Sequence, residues 1–509
     1  MLLNSQPGPA RARALAVAVP GATALALALW HLDRGTMWRD EAATVMVASR
    51  SLPQLWHVLG SIDAVHGLYY LLMHFVLPLH PGEFMLRLPS VVGASVTACL
   101  VAALGSRLAR PRVGLWAGLL YAVAPFAQYY AQEGRSYALV AAGAAGATLL
   151  LTRCVERPAA RRWAAYAAAV TVTAWLHEFA VLLLAAHAVT LAATRVPWRT
   201  WRGWGCAAGC SALALLPLVA LTRGQSRQVA WIRRPGWADA ETLLRAATGR
   251  HGPLYVITLA LIAVAVSRPV ARRARGACGL VAVALPLALV PPLVLFAVSQ
   301  WHPLYASRYA LFAFAGVPLL VAAGAEAVLA RLPRPAALKS GTAPALAGAG
   351  LVAVAFLAQL PLQEQQRSAN ARRDDLGAVA RMLSDRLRPG DPLLYLPKTG
   401  RRYTEAYPSS VAGVRDVSLR TSGAASGTLY GIDVPRGELA ARMDCLPRVW
   451  VLFDAEAGYP GWRTRSWGER AKLDILQREF TPLRDVRRKS GRLVLYARVG
   501  GPVAGCSPR

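Results

Sequence analysis

Two adjacent carboxylates, Asp40 and Glu41, follow Trp38 and Arg39 shortly after the first long apolar run of the chain. An acid in such a place suits proton abstraction from a poorly nucleophilic hydroxyl. A carboxylate pair is also compatible with a divalent cation. Read alone, a solvated loop is the plainer explanation. Other polar and aromatic side chains recur near the ends of later apolar runs. Asp63, His66 and Tyr69 share the stretch that holds Asp40. Gln132, Glu133, Arg135 and Tyr137 follow Gln128, Tyr129 and Tyr130. His177 and Glu178 separate two runs, Trp231 stands near Arg233 and Arg234, and Trp301, His302 and Tyr305 precede Arg308 and Tyr309. A guanidinium stays protonated and grips phosphate in a fork. Each group also has a bland reading: a local ion pair for Glu133 and Arg135, a wet turn for His177 and Glu178, aromatic-belt anchors for Trp38 and Trp301, a snorkelling side chain for Arg308.

What raises these groups above the bland reading is the set of elements that must carry them. The chain has 509 residues, 55% hydrophobic and only 17% charged, against about 25% charged in average soluble domains. The deficit lies in the first 361 residues, where apolar runs alternate with basic clusters. Taking about 20 apolar residues per crossing, spans are expected at 13–31, 88–108, 113–130, 137–152, 161–177, 179–195, 205–222, 253–267, 277–298, 308–330 and 343–361. The first reads as a retained signal-anchor. The segment His66–His80 is apolar but short, and reads as a juxtamembrane or partly inserted helix.

Charge then sets the expected orientation. Arg11 and Arg13 precede the first span; the alternate loops hold Arg107, Arg110 and Arg112, then Arg153, Arg157, Arg161 and Arg162, then Arg195, Arg199 and Arg202, then Arg268, Arg272, Arg273 and Arg275, then Arg331, Arg334 and Lys339. Basic loops stay inside. With the N-terminus inside, eleven spans place the C-terminal region outside, together with the polar groups named above. Ionisable residues at membrane depth are costly and usually line a functional cavity. The net charge of +30 follows from the same loops and from anionic headgroups. The arginines sit between hydrophobic runs and not on one soluble face, which argues against nucleic acid. The scarcity of Lys beside Arg, and the wealth of Ala, fit a GC-rich, bacterial genome.

Residues 362–509 are polar and carry turn signals. An amphipathic helix is expected over Asp374–Leu387, strands over Pro392–Leu396, Arg448–Phe453 and Leu493–Ala497, and a helix around Glu469–Phe480. The fold class is therefore a polytopic helical membrane protein with a small α/β domain: residues 1–361 and 362–509. Cys99, Cys154, Cys206, Cys210 and Cys278 lie in or beside apolar runs and read as small buried hydrophobes. Cys445 and Cys506, alone in the outer region, are expected to form a disulfide.

The stretches TMWRDEAAT, HGLYYLLMHF, EFMLRLPSVVGA, PFAQYYAQEGRSYAL, WLHEFAVLLL and SRYALFAFAGVPLL together resemble the GT-C membrane glycosyltransferases. More narrowly, they are similar to bacterial relatives of protein O-mannosyltransferases and lipid A aminoarabinose transferases. The resemblance runs in order through residues 13–361, and its most specific element is AQE-x-R-x-Y beside an early Asp-Glu. It implies transfer of a sugar from a polyprenyl-phosphate donor, on the outer face, to a protein, lipid or polysaccharide acceptor. It maps the family's first-loop acid onto Asp40, with Glu41 beside it. Its later motif falls on Gln132, Glu133, Arg135 and Tyr137, its His before a span on His177, and its late Arg-Tyr on Arg308 and Tyr309. Relatives often have His-Pro-Pro-Leu-Tyr where this chain has His66-Gly67-Leu68-Tyr69. They often have Ala for Gly134 and an aromatic for Glu178. A resident cofactor is not required by the group as a whole; a divalent cation stays open. A transporter or lipid flippase would need repeats or mid-membrane charges, and a glycan-binding receptor would need no clustered polar site.

Overall fold

The computed structural model describes residues 9–250, 252–267, 278–331, 342–368, 371–372, 374–455 and 466–500. The basic positions Arg268, Arg272, Arg273, Arg275, Arg334 and Lys339, and Cys506, lie outside the described residues. Cys445 is disulfide-bonded. The chain divides into two compact units. The first comprises Met1–Leu32, Asp63–Tyr69 and Arg87–Arg367; the second comprises Asp33–Ile62, Tyr70–Leu86 and Ser368–Arg509.

The first unit is helical. Among the described residues, seven helices are long and apolar enough to cross a membrane, or eight if Trp237–Thr248 and Gly252–Ser267 make one span. Seven of the expected spans fall on them. Three others form shorter helices: Pro111–Ala122, Ala160–Leu176 and Leu182–Thr194. The run expected at 113–130 is broken because Pro125 disfavours helical backbone in the residue before it. Ala124 is extended, with ψ 124°, and a new helix, Pro125–Ala131, begins. The carbonyls freed at the break are satisfied by side chains. Gln128 Nε2 donates to Ala122 O at 2.7 Å and Gln363 Nε2 to Val123 O at 2.8 Å. The apolar segment at His66–His80 is a 3₁₀ turn Ala64–His66, a helix Gly67–Val76 and a 3₁₀ turn Leu77–Leu79. Together these are shorter than any candidate span.

Small residues let these helices approach closely. A Cβ on Gly93, in the helix Glu83–Leu108, would lie 2.9 Å from the Ala138 carbonyl carbon and the Leu139 nitrogen. Only glycine allows that contact at the start of the helix Tyr137–Glu156.

The second unit holds a five-stranded sheet. Its strands are β1 (Pro392–Leu396), β2 (Arg415–Asp416), β5 (Arg448–Asp454), β6 (Phe480–Arg488) and β7 (Gly491–Arg498), and a separate pair is formed by β3 (Leu419–Thr421) and β4 (Ile432–Asp433). The order is β2-β1-β5-β7-β6. β1 runs parallel to β2 and β5, while β7 is antiparallel to β5 and β6. Leu394 and Leu396 of β1 and Val449 and Val451 of β5 meet Ile475 and Leu476 of the helix Trp467–Glu479 in the core. β1 and β5 are continuous apolar runs buried on both faces, as central strands of a covered sheet are. The helices Arg39–Ala48 and Leu52–Leu59 belong to this unit.

Candidate functional site

In the first unit, four segments far apart in sequence, at 63–66, 133–137, 177–179 and 308–309, bring their polar residues together. The turn before the helix Tyr137–Glu156 is tight: Arg135 N donates to Glu133 O at 2.7 Å. The turn is held from the side by Ser90, whose hydroxyl donates in a shared bond to Glu133 O at 2.6 Å and Arg135 O at 2.9 Å. Glu133, Arg135 and Ser136 are buried as a result. Asp63, with left-handed backbone at φ 59°, is a residue type that tolerates this region. Its amide donates to Gln228 Oε1 at 3.1 Å, and that of Ala64 to Gln225 Oε1 at 2.9 Å. So held, the Asp63 carboxylate faces the Arg135 guanidinium at 3.8 Å.

Around this pair lies a buried ring of imidazoles and phenols. His66 and His177 have centroids 5.5 Å apart, and Tyr137 lies 6.1 Å from His66 and 5.7 Å from His177. Tyr309 stacks 4.7 Å from His177 and 6.2 Å from Tyr137, and Phe179 closes against it at 5.3 Å. The Arg308 guanidinium lies 5.3 Å over the Tyr309 ring and 5.7 Å over that of Trp231. The charges of both Arg135 and Arg308 act on both imidazoles. Burial first, then Arg135, His177 and Arg308, holds the His66 imidazole well below its usual range. At neutral pH it is therefore an uncharged donor and acceptor.

Other residues singled out by the sequence tie the helices of this unit to one another. Gln132 Nε2 donates to Ala28 O at 2.9 Å and Trp30 O at 2.8 Å, where it satisfies carbonyls at the end of the helix Pro9–Leu29. Glu178 accepts from Thr222 Oγ1 at 2.9 Å, which ties it to the helix Trp198–Arg223. Tyr69 is fully buried in the same unit. Conversely, Ser90, Gln225 and Gln228 support the site with no motif to mark them; a serine one residue after a proline in an apolar run carries no such signal.

Asp40 and Glu41 occupy the first turn of the helix Arg39–Ala48 in the second unit. That turn is fixed by a set of bonds within the unit. Arg39 binds Asp374 through two nitrogens, at 2.7 and 3.3 Å. Thr36 donates to Asp375 at 2.7 Å. Met37 N donates to the Tyr407 hydroxyl at 2.9 Å, and that hydroxyl donates to Glu83 at 2.6 Å. Burial alone would raise the Asp374 carboxyl, but the hydrogen bond and charge of Arg39, with the charge of Arg402, hold it below the usual range. Glu41 is fully buried and Asp40 only partly so. Among the described residues no three His, Cys, Asp or Glu side chains gather as a metal site.

Neither a protein-family model nor a curated protein matches the sequence. The fold, however, has clear counterparts among solved structures. ArnT from Cupriavidus metallidurans in the apo state is 12% identical, with a TM-score of 0.59 over 94% of this chain and 97% of that one. The same protein bound to undecaprenyl phosphate gives 0.58 over the same shares, at 12% identity. The oligosaccharyltransferase AglB from Archaeoglobus fulgidus, in complex with an inhibitory peptide and a dolichol-phosphate, is 10% identical and gives 0.53 over 96% and 74%. This chain has the fold of the GT-C enzymes.

Proposed function

We propose that this chain is a multi-pass membrane glycosyltransferase that moves a hexose or pentose from a polyprenyl-phosphate carrier to an acceptor hydroxyl on the outer face of the membrane. The observation that carries the reading is the pair of guanidinium groups, Arg135 and Arg308, acting on the same buried imidazoles in a GT-C fold. Such a pair suits a phosphate leaving group. The two counterparts solved with undecaprenyl phosphate and a dolichol-phosphate support a lipid-linked donor.

In the proposed reaction the acceptor oxygen attacks the anomeric carbon from the face opposite the phosphate. The bond from that carbon to the phosphate oxygen breaks, and its electron pair leaves with the carrier. The configuration inverts. The acceptor proton passes to Asp40, and Arg135 and Arg308 stabilise the charge that grows on the phosphate. Neutral His66 and His177, with Tyr137 and Tyr309, orient the sugar or phosphate by hydrogen bonds. The acceptor is a protein, a lipid or an envelope polysaccharide.

The test is incubation of the purified protein with a panel of polyprenyl-phosphate sugars, measuring release of carrier phosphate. One donor should be consumed by the wild type and not by Asp40→Asn. Equal turnover by that variant would remove Asp40 as base. Transport of an intact lipid-linked sugar across a vesicle membrane, without cleavage, would make the chain a flippase.

A further inference from the structure

The arginines at the ends of the membrane helices fall into two groups. Arg107 pairs with Glu156, and Arg110 and Arg112 pair with Glu326. The second group has no such counter-charge. From Arg153 to Trp204 the sequence holds only two carboxylates, Glu156 and Glu178. Glu156 is taken by Arg107, and Glu178 accepts from Thr222 Oγ1 at 2.9 Å. Arg153, Arg157, Arg161, Arg195, Arg199 and Arg202 are exposed and form no ion pair with another described residue. Their guanidinium groups are open to a ligand from outside.

A polar chain inside the unit gathers them at one end. Trp204 Nε1 donates to the Tyr166 hydroxyl at 3.3 Å, and that hydroxyl bonds His187 Nδ1 at 2.8 Å. His187 Nε2 bonds Thr148 Oγ1 at 3.0 Å, and Thr148 donates to Ala144 O at 2.7 Å. The last bond sets the order, since a hydroxyl that donates to Ala144 accepts from the imidazole Nε2–H. The chain ties the helices Tyr137–Glu156, Ala160–Leu176, Leu182–Thr194 and Trp198–Arg223 a turn or two from their arginines. A Cβ on Gly203 would overlap the Trp163 ring, so the first turns of the second and fourth of these helices touch. Neither has a side-chain cap, and the amides of both first turns add positive field at the same end.

Indoles accompany the charges. Trp198 is 72% exposed, and Trp201 and Trp204 stack edge to face at 5.5 Å in the turn that follows it. Tryptophans at a basic helix end mark the boundary between headgroups and acyl chains. Guanidinium forks suit a phosphate, and basic notches between membrane helices hold anionic headgroups. A soluble anion would gain nothing from the indoles. We infer that this end of the helical unit binds the headgroup of an anionic phospholipid, its phosphate on Arg161, Arg199 and Arg202 and its glycerol region against Trp198. The inference is independent of the transfer chemistry. Two of the same helices carry Tyr137 and His177 at their far ends, so a lipid bound only by the folded unit would stabilise the elements beneath the transfer site.

The experiment is native mass spectrometry of the full-length protein in detergent micelles, titrated with phosphatidylglycerol or phosphatidylcholine, with the melting temperature read in parallel. Phosphatidylglycerol should bind about tenfold or more tighter than phosphatidylcholine and raise the melting temperature. Arg199→Gln combined with Arg202→Gln should remove about tenfold of that affinity. Both side chains are exposed and unpaired, so the melting temperature in phosphatidylcholine should not change. Arg161→Gln, on the neighbouring helix, should weaken binding as well. Arg233→Gln combined with Arg234→Gln removes the same charge from the loop before the helix Trp237–Thr248 and should leave the affinity as it is. The inference is overturned if the two lipids bind alike, if the Arg199 and Arg202 changes keep the wild-type affinity, or if the Arg233 and Arg234 changes lose as much. Displacement of the lipid by glycerol 3-phosphate or by polyglutamate would also overturn it, because the ligand would then be a soluble anion. All these readouts are of lipid binding, so they stand apart from any failure of sugar transfer.

Discussion

At the scale of single residues, burial separates two kinds of polar group that look alike in the sequence. Gln132 and Arg135 lie in one motif and are both buried. The amide of Gln132 is taken by carbonyls of Ala28 and Trp30, whereas Arg135 faces Asp63 and reaches two imidazoles. The motif could not reveal this, because the carbonyls lie 104 and 102 residues away. The Asp-Glu pair stands out in the sequence, but which member is buried depends on helix phase, which the sequence around it does not fix. Two predictions belong here. Asp40→Asn should cost about 10²–10⁴-fold in transfer rate, the usual range for a general base, with an unchanged melting temperature. A normal rate in that variant rejects the role. Arg135→Ala should cost about 2.7–4 kcal/mol in transition-state stabilisation, read as kcat/KM for the donor. A loss confined to the acceptor's KM would contradict a phosphate role.

Elements are positioned by a few contacts that connect distant stretches. The start of the helix Arg39–Ala48 depends on Arg39 and Asp374, 335 residues apart. Hydrogen bonds to charged groups contribute about 1.5–3 kcal/mol where partly buried, so Asp374→Asn should lower both melting temperature and transfer rate. The pH dependence has a definite sign. The Asp374 carboxyl lies below its ordinary value, so its stabilisation is present above the unfolded pKa of about 3.9. It is lost as pH falls through the folded value. A melting curve insensitive to pH between 5 and 3 would argue against the clamp. The second contact is steric. Gly93→Val places atoms against the Ala138 backbone and should cost about 1–3 kcal/mol of stability. It should also disturb Tyr137, one residue before the contact; a fully active, fully stable variant would show that the helices can part there without consequence. Strands β1, β5 and β7 were legible because each alternates or runs apolar under cover. β6 was not: Arg484, Arg487 and Arg488 break any apolar pattern, yet they are exposed residues of an edge strand, where charge discourages further pairing.

For the whole molecule, the open question is which end of the helical unit faces out. The charge pattern assigns the loops near Arg107 to Arg112, Arg153 to Arg162, and Arg331 to one side. The structure brings their helix ends together. Arg107 pairs with Glu156, and Arg110 and Arg112 both pair with Glu326, the former at 2.9 Å. Glu326 is itself 1% exposed, so these guanidinium groups are its counter-charges and the loops share one end for a structural reason. The residues of the proposed transfer site come from loops that the same pattern assigns to the other side: Asp63 and His66, Arg135, His177, and Arg308. Single cysteines can decide the orientation. In a background with Cys99, Cys154, Cys206, Cys210 and Cys278 changed to Ser, Arg157→Cys should resist an impermeant maleimide in intact cells, while Arg233→Cys, at a side chain 77% exposed, should react. Permeabilising the membrane should expose the first. The reverse pattern would place the Arg135 cluster inside, where a hydroxyl acceptor would have to be cytoplasmic. Labelling of both in intact cells would mean that the loops do not lie on opposite faces, and the basic ends would then need a reason other than the positive-inside rule.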